Sequence, residues 1–120
     1  MKKNLRVRKN EDFNKIISKK ISLASSSFII YKNQNDIDHG RVGISVSKKL
    51  GKAVVRNKIK RQLRMMIYEC FSFEENVDYI VIVRKNFLNH TYLENKSELE
   101  SLYKKLKKRR ISSHGFRQQN

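Results

Sequence analysis

The side chains best suited to chemistry in this chain are cations set close together. Lys48, Lys49, Lys52, Arg56, Lys58, Lys60, Arg61 and Arg64 crowd one stretch, with the amide of Asn57 among them. Arginine offers a planar fork of donors that matches phosphate oxygens two at a time, and lysine a mobile point charge. An asparagine amide can bond a phosphate, a base edge or a 2′-hydroxyl. The chemistry these types support is the gripping of a phosphate polymer. A charge run on a helix is most often a solvated face, but such faces intersperse Glu for pairing one turn away. Here no Asp or Glu occurs between His39 and Tyr68. A polyanion is therefore the expected ligand.

Covalent chemistry finds less support. His39, His90 and His114 lie far apart, and Cys70 is the only cysteine, so no metal-ligand spacing exists. Gly40, Gly43 and Gly51 do not meet the spacing of a phosphate-cradling loop. Cys70 falls on the apolar side of its helix, which marks a packed thiol and not a nucleophile. A two-metal nuclease holds its ions with carboxylates, and the cationic stretch has none. No catalytic residue, metal ligand or protein-bound cofactor is expected.

Composition agrees. The 120 residues suffice for one domain with a modest core, and the formal charge of +17 calls for nucleic acid or an anionic membrane surface. The longest apolar runs, Phe28 to Tyr31 and Tyr79 to Val83, are far short of the roughly 20 residues of a membrane span. The basic N-terminus is not followed by an apolar signal core. A lone cysteine fits a reducing compartment, and a cytoplasmic location without membrane contact is expected.

The elements that must position the cations follow from periodicity. Residues 1–9 read as a flexible basic arm, and 110–120 as a basic, disordered tail. Between them, 10–109 reads as a single α+β domain in the order α-β-β-(β)-α-β-α, a three- to four-stranded sheet. Asn10 is expected to cap a short helix carrying Phe13, Ile16 and Ile17. Residues 22–27 form a turn or an edge segment. A strand follows from Phe28 to Lys32, with Ile29 and Tyr31 on the face opposite Phe28 and Ile30. After a loop over 33–40, the strand Arg41 to Ser47 sends Val42, Ile44 and Val46 to the core. Its other face, Gly43, Ser45 and Ser47, is small enough for a helix or a bound strand to come close. A long helix runs from about Ala53 to Phe71. Its positions 56, 57, 60, 61 and 64 share an arc of roughly 140°, with Ile59, Leu63, Met66, Ile67 and Cys70 alongside. Asp78 precedes a buried strand over 79–84, which completes a βαβ unit. A loop over 86–91 leads to a last helix, Tyr92 to about Lys108, with Leu99, Leu102, Tyr103 and Leu106 as its apolar stripe. Phe13, Tyr31 and Tyr68 are aromatic candidates for stacking a nucleobase, and a strand in place of a preceding helix argues against a helix-turn-helix DNA reader.

The run Arg41-Val-Gly-Ile-Ser-Val-Ser-Lys-Lys-Leu-Gly-Lys-Ala-Val-Val-Arg-Asn-Lys-Ile-Lys-Arg-Gln-Leu-Arg64 resembles the signature of the bacterial ribonuclease P protein component. The segments Arg6-Val-Arg-Lys-Asn-Glu-Asp-Phe13 and Phe28-Ile-Ile-Tyr31 match the same family in the same order, so the resemblance covers about residues 5–109. It implies a fold like the second domain of ribosomal protein S5, with a left-handed βαβ crossover that departs from the usual hand. It implies as partners the ribonuclease P RNA, which cuts with its own bound Mg²⁺, and precursor tRNA, whose 5′ leader is removed. No obligate protein partner is implied. Arg56, Asn57, Lys60, Arg61 and Arg64 match the family's basic helix, and Lys58 stands where a second arginine is common. Phe13, Ile17, Tyr31 and Ser45 match positions lining a cleft for the leader, with Ile17 where an aromatic is frequent. Met65 replaces a commonly polar or acidic residue. The alternative expectation is a structural RNA binder, resembling a ribosomal protein, without a part in processing.

Overall fold

The computed structural model describes residues 3–109. Its helices are α1 (Asn10–Ser18), α2 (Ala53–Cys70) and α3 (Tyr92–Lys108). Its strands are β1 (Ser22–Ala24), β2 (Phe28–Gln34), β3 (Arg41–Ser45) and β4 (Val77–Val83), and short 3₁₀ turns occupy Lys3–Leu5, Lys48–Leu50 and Lys85–Asn89. The strands form one sheet in the order β1-β2-β4-β3. β4 runs antiparallel to β2 and parallel to β3, so α2 is the crossover of the expected βαβ unit.

The apolar run of β4 explains its central place. Tyr79, Val81 and Val83 face a large core with Ile59, Leu63, Met66 and Ile67 of α2 and Leu99, Leu102, Tyr103 and Leu106 of α3. Ile80 faces the other way, into a smaller core with Val7 and Ile16, flanked by Phe13, Tyr31 and Ile82. A strand buried on both faces has no polar side, which is why its sequence does not alternate. Phe71 closes the large core by stacking on Tyr103 at 3.9 Å between ring centroids, and Tyr79 meets both rings edge-on. Cys70 packs partly buried against this core, where desolvation pushes its thiol pKa up.

Several boundaries depart from expectation for identifiable reasons. Residues 22–27, expected as a turn or an edge segment, hold the edge strand at 22–24, with Leu23 opposite Ile30; the departures lie elsewhere. β3 stops at Ser45 because Ser47 turns to cap the next turn, its hydroxyl accepting from the Lys49 N–H at 3.2 Å. Asp78 lies inside β4 and not before it, since Arg41 neutralises it there. The loop expected over 86–91 contains the turn Lys85–Asn89, and α3 begins with a reciprocal capping box between Thr91 and Glu94. Asn10 is not the cap of α1. Lys9 holds that position without a side-chain bond, and Asn10 is the first helical residue.

The arm expected to be flexible over 1–9 is instead held against the sheet at Arg6 and Val7, while Lys3, Asn4, Arg8 and Lys9 are exposed. Val7 is buried, its N–H donates to the Val42 carbonyl at 3.1 Å, and Arg6 bridges Val42 in parallel. A single apolar residue in a basic run is a weak signal, yet burial of Val7 is enough to bring the segment onto the edge of β3. The tail expected over 110–120 lies outside the described residues.

Two buried polar groups hold elements together. Asp78, 3% exposed, accepts from Arg41 Nε at 3.0 Å, Arg41 Nη2 at 2.6 Å and Asn35 Nδ2 at 2.8 Å. The same guanidinium reaches Asp12 of α1 at 3.5 Å. Lys32 is also 3% exposed, and its ammonium donates to the carbonyls of Leu106, at 2.7 Å, and Arg109. These are carbonyls at the C-terminal end of α3, where a cation suits the helix dipole.

Burial lowers the Lys32 pKa from 10.5 to about 8, partly opposed by Glu75. Between those values the unfolded chain holds a proton that the folded chain has shed, so the Lys32 contribution to stability rises with pH. Wild type should gain on Lys32→Met from pH 8 to 10.5, by up to about 3 kcal/mol. Urea unfolding of both proteins across that range checks the sign; a constant difference would show that Lys32 does not titrate in the fold.

Candidate nucleic-acid interface

α2 fastens its apolar side to the large core and turns the cationic side outward. Ile59, Leu63, Met66 and Ile67 are buried, Asn57, Lys58 and Arg61 exposed, and Arg56, Lys60 and Arg64 half-buried. Half-burial of the last three fits long stems lying along the helix with their charged heads in water. The entry to α2 adds Lys48, Lys49 and Lys52, all exposed. Gly51 has φ +143°, a conformation that L side chains rarely adopt, and an added Cβ would lie 3.1 Å from Val55. This bend aims the Gly51 carbonyl back at α2, where it accepts from Arg56 Nε at 3.1 Å. The Arg56 fork is thereby oriented while its other nitrogens stay available.

The charges of this surface are left unpaired. Among the described residues, none of the cations from Lys48 to Arg64 has a carboxylate partner. The chain does pair cations elsewhere. Lys96 meets Glu69 at 3.2 Å, Lys107 meets Glu75 at 3.2 Å, and Lys104 meets Glu100 at 4.0 Å. Lys15, Lys19, Lys20 and Lys85 likewise have no carboxylate partner among the described residues, so what sets the stretch from Lys48 to Arg64 apart is the density of its cations and the lack of any Asp or Glu among them.

A second surface lies on the opposite side of the sheet. Strand register sets its side chains in rows: Asn33, Asp78 and Arg41; then Tyr31, Ile80 and Gly43; then Ile29, Ile82 and Ser45. α1 packs across β2 and β4. It covers the first row through the Asp12–Arg41 contact and the second through Ile16 and Phe13. The third row remains half-open, with Ile29, Ile82 and Ser45 partly exposed. Phe13, Ile17 and Tyr31, also half-buried, border it.

Phe13, Ile17, Tyr31 and Ser45, picked out from the sequence, therefore share one face, and the nine residues from Lys48 to Arg64 share another. Ile29 and Ile82 were not among the expected cleft residues, and Gly43 was expected only as part of the small face of β3 that admits a close approach. Ile29 had been assigned to the Tyr31 face, so its signal was available. Ile82 was hidden because the run 79–83 does not alternate. Gly43 gives Phe13 its seat: a Cβ there would lie 2.7 Å from Phe13 Cζ, 2.8 Å from Ile80 Cδ1 and 3.0 Å from Val7 Cβ. The two surfaces meet at the end of β3, where Ser45 is followed within three residues by Lys48.

The histidines have local structural partners. His39 contacts Asp38 at 2.9 Å and the Asn4 carbonyl at 2.6 Å, and His90 contacts Ser27 Oγ at 3.3 Å. His114 lies outside the described residues. Among the described residues, no three of His, Cys, Asp and Glu converge as metal ligands would.

Comparison with known proteins decides the family. The family model described as Ribonuclease P matches residues 1–107. The chain belongs to the ribonuclease P protein family. It is 46% identical over 99 residues to the ribonuclease P protein component of Streptococcus gordonii, covering 82% of this chain and 83% of that one. Identity to the Bacillus pumilus component is 44% over 107 residues, covering 88% and 90%. A Staphylococcus aureus ribonuclease P protein, described as a mutant with defective mRNA degradation activity, superposes with TM-score 0.81 at 44% identity, covering 88% of this chain and 90% of that chain. The Thermotoga maritima ribonuclease P protein superposes at 0.73 with 31% identity, covering 83% and 96%. As a ribonuclease P protein the chain is a subunit of a ribonucleoprotein enzyme of tRNA processing, and it associates with ribonuclease P RNA. No helix among the described residues is long and apolar enough to cross a membrane.

The Gly43 seat makes a checkable demand. Gly43→Ala should destabilise the protein by about 1–3 kcal/mol, because the new methyl overpacks Phe13, Ile80 and Val7. Thermal unfolding measures this, and an unchanged midpoint would mean that α1 can lift from the sheet without loss.

Proposed function

We propose that this ribonuclease P protein grips the catalytic RNA with the outer side of α2 and holds the 5′ leader of precursor tRNA in the half-open row beneath α1. The observation that carries this reading is the cationic surface from Lys48 to Arg64, eight cations on a stretch without Asp or Glu and none with a carboxylate partner among the described residues. Arg56, Arg61 and Arg64 supply bidentate contacts to phosphates, Lys48, Lys49, Lys52, Lys58 and Lys60 supply point charge, and Asn57 contributes its amide. The leader is single-stranded, so its bases can lie against Phe13, Ile17 and Tyr31 while Ser45 offers a hydroxyl. A strand leaving the row at Ser45 meets Lys48 and Lys49 next, which links the two surfaces along one path.

Hydrolysis belongs to the RNA subunit with its bound Mg²⁺, and the protein supplies charge neutralisation and substrate positioning. Bringing two polyanions together is opposed by their repulsion, and a cationic subunit lowers the Mg²⁺ needed to overcome it. The reading places this work in the cytoplasm, with Cys70 as a reduced, packed thiol.

The deciding experiment is cleavage of precursor tRNA by ribonuclease P RNA at low Mg²⁺, with and without the protein. Stimulation is expected; its absence would favour a purely structural RNA binder. RNA affinity should fall about 10³–10⁵-fold between 50 and 200 mM salt if six to ten phosphates are contacted. Arg61→Ala should weaken binding and reduce that salt slope by about one. Tyr31→Ala should weaken precursor tRNA binding more than mature tRNA binding, and an equal loss for both would place Tyr31 in the core instead of the leader path.

A further inference from the structure

The outermost line of α2 is not purely cationic. Val54, Lys58, Arg61, Met65 and Tyr68 follow one another at the spacing of a single helical stripe, and all are exposed. Of the six large apolar side chains exposed among the described residues, four stand on α2: Val54, Val55, Met65 and Tyr68. Tyr68 is 71% exposed and Met65 58%. Isolated exposed apolar residues are ordinary, but Met65 and Tyr68 stand one turn apart on this stripe as a neighbouring pair.

The surroundings of Tyr68 define its ligand. Arg64 lies one turn before it and Arg61 two turns before it, neither with a carboxylate partner among the described residues. The adjacent Glu69 is engaged, meeting Lys96 at 3.2 Å and the Tyr92 hydroxyl at 3.4 Å. Tyr92 is thus tied into the fold, whereas Tyr68 has no hydrogen bond or ring contact among the described residues. An aromatic face beside two free guanidinium groups suits a nucleotide whose base is unstacked: the ring takes the base and the arginines take the flanking phosphates. Met65, soft and polarisable, extends the apolar side of that platform.

We infer that Tyr68, with Met65, is a stacking site for an unpaired nucleobase of the RNA bound along α2, at the C-terminal end of the cationic surface. The inference rests on the reading that α2 binds RNA and adds a contact that neutralises no phosphate. That difference makes the two separable by salt dependence.

Binding of ribonuclease P RNA transcribed in vitro would be measured over a salt series for wild type, Tyr68→Ala, Tyr68→Phe and Arg61→Ala. Tyr68→Ala should weaken binding about 5- to 150-fold, the range for one stacked base, and leave the salt slope unchanged. Tyr68→Phe should bind within about twofold of wild type, since the ring is kept. Tyr68→Trp adds a direct readout, because the chain contains no tryptophan and the new indole would be the sole reporter. Its fluorescence should be quenched on addition of the RNA. Full affinity in Tyr68→Ala with weakened binding in Arg61→Ala overturns the stacking site and leaves the phosphate surface standing. Full affinity in both overturns the RNA reading of α2 itself. Indole fluorescence of Tyr68→Trp that is indifferent to bound RNA also overturns the inference and assigns the stripe to a partner other than RNA.

Discussion

The contact between Arg41 and Asp78 determines how the two sides of this molecule relate. A carboxylate in the central strand, 3% exposed, would be untenable without a partner. Arg41 supplies one with two hydrogen bonds from the neighbouring parallel strand and holds Asp12 of α1 with its remaining nitrogen. The carboxylate holds the Arg41 pKa above its ordinary value despite partial burial. One cluster of charges thus ties β3, β4 and α1 together. With α1 anchored at that end, it covers two rows of the sheet face and leaves the third partly open. A buried ion pair contributes little net stability, but removal of one member is strongly destabilising because it strands the other.

The same economy of charge separates structure from function. Asp12, Asp78, Glu69, Glu75, Glu98 and Glu100 are committed to hydrogen bonds or ion pairs within the fold. Glu98 is the fullest case: burial disfavours its charge, but donors from Ser25 and the Ser27 N–H outweigh this and lower its pKa. That carboxylate fastens the β1–β2 turn onto α3. The acid-free stretch from Lys48 to Arg64 alone carries eight cations of a chain whose net charge is +17.

Much of this arrangement could be read from residue order. The helices showed in the 3.6-residue spacing of Ile59, Leu63, Met66 and Ile67 and of Leu99, Leu102, Tyr103 and Leu106, all buried as their periodicity required. The small face of β3 announced a close approach, and Gly43 takes Phe13 there. What escaped notice depends on contacts distant in sequence. Nothing local marks Lys32 as buried, since its acceptors are carbonyls more than seventy residues away. Asp78 was expected just before the strand because only Arg41, distant in sequence, makes it acceptable inside one. Val7 looked like part of a charged arm until β3 offered it an edge. The cationic surface was plain because charge segregation is a one-dimensional signal, while Ile82 became part of the cleft only when register set it between Ile29 and Ser45.

The docked N-terminal segment carries a consequence for behaviour at high concentration. An exposed strand edge is a template onto which another chain can add, the usual start of sheet-mediated aggregation. On one side of this sheet that template is taken up by Arg6 and Val7 lying along β3. On the other side the edge strand is three residues long, and Arg109 donates to its Ser22 carbonyl at 2.8 Å. Part of the backbone is engaged at each margin, β3 at Val42 and β1 at Ser22. Each margin of the sheet is thus a poorer template for a second chain than a bare edge strand would be.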